Sequence, residues 1–136
     1  MASCGLGLWI NDSKFSYDSN ESYERKIISM PAFEDFKKHP AGEALLLRLV
    51  NMYPNYRVYR CCYGHTQVAE GGLDAGLEIG VKAWDLAATE LLMRESGKAY
   101  YSFICPGFYD RYIAVYGETE LVESIRTVFD NLSVSR

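Results

Sequence analysis

Between Leu73 and Phe129 the apolar spacing switches repeatedly between the period of a strand and that of a helix, and this alternation constrains the fold most. "LDAGLEIG" at 73–80 has strand character. The next segment is the clearest helix in the chain: Trp84, Ala87, Ala88, Leu91 and Leu92 recur at i, i+3, i+4, i+7 and i+8, and Gly97 supplies a stop. Two strands follow, "YYSFI" at 100–104 and "RYIAVY" at 111–116. Gly117 then leads into an amphipathic helix whose inward stripe is Leu121, Ile125, Val128 and Phe129. The class implied is α/β, a layered sheet flanked by helices.

The first half is read more coarsely. "GLGLWIND" is a strand running into a turn at Asn11-Asp12, and "KIISM" at 26–30 is a second short strand. "PAFEDFKKH" at 31–39 forms a helical turn. "AGEALLLRLVN" after Pro40 is apolar nearly all round, as expected of a helix packed on both sides. "YRVYR" at 56–60 alternates, and "CCYGHTQVAE" is a helix that Gly71 and Gly72 terminate. No repeat or Pro/Ser-rich linker divides the chain. Its 136 residues, 49% of them apolar, are enough for one domain, 1–136, with a core of its own.

Charge and cysteine usage narrow the function. A net charge of −4 with no basic cluster argues against nucleic acid, whose phosphates are held by grouped Lys and Arg. The longest apolar runs, such as "ALLLRLV" at 44–50, fall well short of the roughly 20 residues that cross a bilayer. "MASCGLGLWIND" lacks the features of a secretory signal, so no membrane partner and a cytoplasmic location are expected. Cys4, Cys61, Cys62 and Cys105 lack zinc-site spacing and are expected to be reduced thiols. Two histidines, His39 and His65, leave little for a histidine metal cage.

Two carboxylates, Glu78 and Asp85, flank Gly80 in an otherwise apolar stretch. Asp85 in the first turn of its helix is accounted for by the free N–H groups there. Glu78 is accounted for as the solvent face of an edge strand. The functional alternative is that strand end and helix start present both carboxylates at one rim of the sheet, where α/β folds bind ligands. A carboxylate there can take a hard cation such as Mg2+. A third possibility is a reactive thiol site formed by Cys61 and Cys62 beside His65.

The run "GGLDAGLEIGVKAWDLAATELLMRESG" resembles the C-terminal signature of the inositol monophosphatase superfamily, roughly W-D-x-A-A, a helix, then E-A-G-G. The resemblance covers most of the chain, most closely 56–97, and implies the second half of that fold. In the superfamily the aspartate of W-D is a metal ligand, which carries over to Asp85 and implies Mg2+. The glutamate ahead of it contacts substrate hydroxyls, which carries over to Glu78. Trp84, Ala87 and Ala88 are read as core that positions Asp85. "RVYRCCYG" at 57–64 is similar to the R-x-x-G-D-C-Y-G wording of histidinol-phosphate phosphatases, matching at Arg57, Cys62, Tyr63 and Gly64. Arg60 and Cys61 replace that motif's glycine and aspartate, so they are candidate substrate-binding positions of altered specificity.

The superfamily's other metal ligands lie in a glutamate pair and a D-P-x-D-G-T stretch, and "YDSN", "FEDF" and "FYDR" do not have that spacing. The resemblance therefore implies half of a Mg2+-dependent phosphomonoesterase, acting on a small phosphate monoester when assembled and showing little activity alone. The partner is a second copy or a complementary N-terminal-half chain. The alternative is a non-catalytic interaction or oligomerisation module derived from that fold. The 11 tyrosines, many of them bracketing strands, favour an interface, with a tyrosine-rich core rim as the other reading.

Overall fold

The computed structural model describes residues 2–16, 26–59 and 62–134. Two sheets form. The smaller is a meander of β1 (Ala2–Ser3), β2 (Gly7–Ile10) and β3 (Ser13–Lys14), ordered β1-β2-β3. Its second turn is the expected Asn11-Asp12 pair, both with positive φ (47° and 64°), the geometry that fits a two-residue hairpin to the strand twist.

The larger sheet contains β4 (Ile28–Met30), β5 (Tyr56–Val58), β6 (Ala75–Val81), β7 (Ala99–Ile104) and β8 (Tyr112–Gly117), ordered β5-β4-β6-β8-β7. β5, β4 and β6 run parallel, whereas β6, β8 and β7 are antiparallel. One face carries Leu77, Ile79, Ile113 and Val115 against α1 (Phe33–Phe36), α2 (Gly42–Met52) and α5 (Thr119–Val134), burying Phe36, Leu45, Leu49, Ile125 and Phe129. The other face carries Ala114 and Tyr116 against α3 (Cys62–Glu70) and α4 (Ala83–Glu95), burying Val68, Leu86 and Met93. Leu8 of β2 joins this second cluster, and the Glu95 carboxylate accepts the N–H groups of Gly5 and Gly7 at 2.7 Å each. The small sheet is thereby fixed to the outer side of α4.

The expected stripe of α5 is the observed one: Leu121, Ile125, Val128 and Phe129 are all buried. α4 ends as expected at Gly97 (φ 74°), with the Lys98 N–H returning to the Met93 carbonyl at 2.8 Å. Its buried face is not the expected one. Trp84 is 75% exposed and Ala87 and Ala88 are exposed, while Leu86, Thr89 and Met93 point inward. Two stripes on this helix satisfy the same spacing: Leu92 of the expected one packs at the margin of the second cluster, while Leu86 and Met93 fill it and the Thr89 hydroxyl has a buried partner in His65. α2 is also covered on one side only: Leu45 and Leu49 are buried, whereas Leu47 is 62% exposed.

β4 and β6 are joined through Asp74. Its carboxylate accepts the Ile27 N–H at 2.6 Å, its own N–H donates to the Ile27 carbonyl at 2.8 Å, and its carbonyl accepts the Glu118 N–H at 2.8 Å. Burial raises the Asp74 carboxyl above its ordinary value, against the pull of the Ile27 hydrogen bond. A raised acid favours the folded state when protonated, so this contribution is complete below the unfolded value near about 4 and is lost as pH rises through the folded one. Asp74→Asn keeps an oxygen for Ile27 and removes the charge. The variant should match wild type in urea midpoint near pH 3 and exceed it at pH 7; a lower midpoint at pH 7 would refute this account.

Candidate functional site

β6 is the central strand of its sheet, so Glu78 does not lie on the exposed edge considered above. Strand alternation sends Leu77 and Ile79 into the α2/α5 core and turns Glu78 towards α3 and α4. There the His65 imidazole meets it, with Nε2 3.1 Å from the carboxylate Oε1. The other ring nitrogen, Nδ1, lies 2.8 Å from the Thr89 hydroxyl on α4. An ionised carboxylate can only accept, so Nε2 donates to Glu78, while the Thr89 hydroxyl, which can donate or accept, satisfies Nδ1. His65 also stands edge-on to the Tyr116 ring, with centroids 5.2 Å apart and planes at 85°. Burial pushes the Tyr116 phenol well above its ordinary value, and the Glu78 carboxylate adds to the shift.

This arrangement gives His65 partners other than a thiol. Both nitrogens of His65 are engaged by Glu78 and Thr89, so the ring is not free to act as a base for a neighbouring thiol. Cys4, Cys62 and Cys105 are free cysteines, the first two exposed and the third buried. Arg60 and Cys61, the candidate specificity positions, lie outside the described residues.

Gly80 separates the environments of the two acids. It occupies a bulge between Ile79 and Val81 with φ 72°, and its carbonyl accepts from the Arg111 guanidinium at 2.8 Å. Beyond it the chain turns at Lys82 into α4. Asp85 is exposed in the first turn, where its Oδ2 accepts the Lys82 backbone N–H at 3.1 Å. The helix-start reading of Asp85 is therefore present in the structure. Nearby, the Lys82 ammonium pairs with Asp110 and lies 5.7 Å from the centre of the Trp84 ring. Glu78 faces the buried layer while Asp85 faces the exposed rim.

Among the described residues no three His, Cys, Asp or Glu side chains gather into a group that could hold a metal ion. Magnesium would find Asp85 here, with the nearby Asp110 already paired to the Lys82 ammonium, and would keep most of its shell as water. The residues present fit a single ligand rather than a metal centre. Among these residues, too, no helix is long and apolar enough to cross a membrane. Tyr116 is fully buried, while Tyr63 and Tyr109 are exposed.

No protein-family model matches the chain. The Nus factor SuhB of Haemophilus influenzae is 30% identical over 99 residues, covering 68% of this chain and 36% of that protein. Its counterpart from Pasteurella multocida is 29% identical over 99 residues, with the same coverage of 68% and 36%. The fold is shared with the inositol monophosphatase of Anabaena at a TM-score of 0.73 and 16% identity, over 96% of this chain and 53% of that one. Inositol monophosphatase-II of Staphylococcus aureus gives a TM-score of 0.72 at 17% identity, over 91% and 47%. The chain has the inositol monophosphatase fold and is similar in sequence to the SuhB proteins. It spans little more than a third of the length of the curated relatives that it matches and about half of these solved structures. In this inositol monophosphatase fold the sequence reading missed Thr89 and the pairing of His65 with Glu78. The one sequence signal for them is an acid and a glycine, Glu78 and Gly76, sharing one face of a central strand.

Proposed function

We propose that the chain is the C-terminal half of a phosphomonoesterase of the inositol monophosphatase type, with Asp85 supplying one metal-facing carboxylate and Glu78, whose side chain turns inward to His65, reaching the substrate alcohol once the site is completed. The observation that carries this reading is the pairing of that fold with about half its length. An exposed Asp85 at a helix start supports it. Bound magnesium would supply Lewis-acid activation of a phosphate ester. This chain's own part is orientation: His65, held by Thr89, fixes the rotamer of Glu78, and the Lys82 N–H fixes that of Asp85.

The remaining ligands come from a complementary chain or segment, so the isolated chain is expected to be inactive. The purified protein should show no turnover of a generic aryl phosphate or of histidinol phosphate, with or without Mg2+. Mg2+-dependent turnover abolished by Asp85→Asn would mean that a complete site assembles from this chain, and the half-site reading would fall.

A second reading, a non-catalytic interaction module, is favoured by one observation: each carboxylate already has a protein partner. Titration with Mn2+, followed by paramagnetic broadening of amide signals, separates the two. Broadening centred on Asp85 and lost in Asp85→Asn supports the half-site. Its absence supports the module.

A further inference from the structure

The register of β6 with β8 places Tyr116 directly opposite Gly76, and Glu78 lies two residues further along the same face of β6. Diagonal neighbours of this kind are within reach of an aromatic side chain. Because Gly76 has no Cβ, the Tyr116 ring lies over it, with the hydroxyl oxygen 2.6 Å from where a Cβ would stand. The phenol is thereby laid against β6 beside Glu78.

The Tyr116 hydroxyl is fully buried and makes no hydrogen bond among the described residues. A buried donor left without a partner is destabilising, and native interiors rarely keep one. The groups around it are already engaged: His65 of α3 stands edge-on to the ring with Nε2 on Glu78, Thr89 of α4 satisfies Nδ1, and the hydroxyl of Tyr100, opposite on β7, is engaged by Ser102. Of these groups Glu78 is the anion. Its carboxylate acts on the Tyr116 phenol through both charge and hydrogen bonding.

We infer that Tyr116 is a positioning residue for Glu78: its hydroxyl donates a second hydrogen bond to the carboxylate, so that α3 and β8 hold this acid from two sides. The adjustment falls on the terminal torsion of Glu78, which is broad and soft, and it leaves the wedged ring in place. An ionised carboxylate offers about four acceptor sites. Two inner donors fix it and leave the others for a donor at its outer edge, where the Glu78 side chain is 17% exposed. A substrate alcohol as that outer donor rests on the half-site reading above; the hydrogen bond from Tyr116 does not.

Tyr116→Phe keeps the ring over Gly76 and removes only the hydroxyl. If that hydroxyl holds Glu78, the variant should lower the folding equilibrium constant of the full chain about tenfold, as for a hydrogen bond to a charged group. Removing an orphaned hydroxyl would raise the constant instead. The second readout is the side-chain carboxyl carbon of Glu78, followed by NMR of the isotope-labelled chain at neutral pH. Its resonance should shift in Tyr116→Phe and stay in place in Tyr100→Phe, which removes the hydroxyl that Ser102 engages. A merely packed ring would leave the carboxyl signal where it is in both. An unmoved Glu78 resonance in Tyr116→Phe, or a Tyr116→Phe chain at least as stable as wild type, would overturn the inference. Neither readout uses metal or substrate, so such a failure is distinct from failure of the half-site reading, which the Mn2+ titration decides.

Discussion

His65→Ala should lower the unfolding free energy by about 3 kcal/mol, from a buried hydroxyl and carboxylate left without their partner and a ring-sized void beside Tyr116. His65 and the Glu78 side chain are both more than four-fifths buried, so water does little to replace the lost contacts. In a chain of this length the melting temperature should fall by about 10 °C. Thr89→Val removes only one hydrogen bond and should cost about 1 kcal/mol. If the three groups act as a network, Thr89→Val should cost less once His65 is already alanine. A loss below about 0.5 kcal/mol for His65→Ala, the level of an unremarkable surface substitution, would mean that the imidazole is not holding Glu78.

That network also marks where reading the sequence stopped short. The stripe of α5, the Gly97 stop of α4 and the Asn11-Asp12 turn are local features, each specified within a few residues. They are found where expected. The inward face of α4 is not local. Trp84, Ala87 and Ala88 satisfy helical spacing as well as Leu86, Thr89 and Met93 do, so spacing does not choose between the two sets. What decides is that Thr89 meets His65, a residue on another helix, and that His65 in turn meets Glu78 on the central strand. No spacing encodes a contact between three elements whose packing is settled only by the whole sheet. Asp85 is the opposite case, because its bond to the Lys82 N–H is a helix-start interaction that a short window contains. The bland reading of Asp85 was therefore legible, and the real environment of Glu78 was not.

The face that Glu78 shares with Gly76 gives the second large effect. A Cβ added at Gly76 would lie 2.6 Å from the Tyr116 hydroxyl oxygen and closer still to the ring carbons Cζ and Cε2. Tyr116 is completely buried and stands edge-on against His65, so its ring cannot swing aside without breaking that contact. Gly76→Ala should therefore destabilise by about 3 kcal/mol, the upper end of ordinary overpacking. The cause can be isolated by repeating the substitution in a Tyr116→Leu background, where the six-membered ring is gone and the added methyl has room. There Gly76→Ala should cost less than about 1 kcal/mol, of the kind expected from adjusting a strand backbone, and the difference between the two backgrounds measures the clash. An equal cost in both backgrounds, read from urea unfolding midpoints, would place the penalty in the strand itself. A cost confined to the Tyr116 background would show that Gly76 is small because Tyr116 lies over it, and that the same ring closes the layer in which His65 holds Glu78.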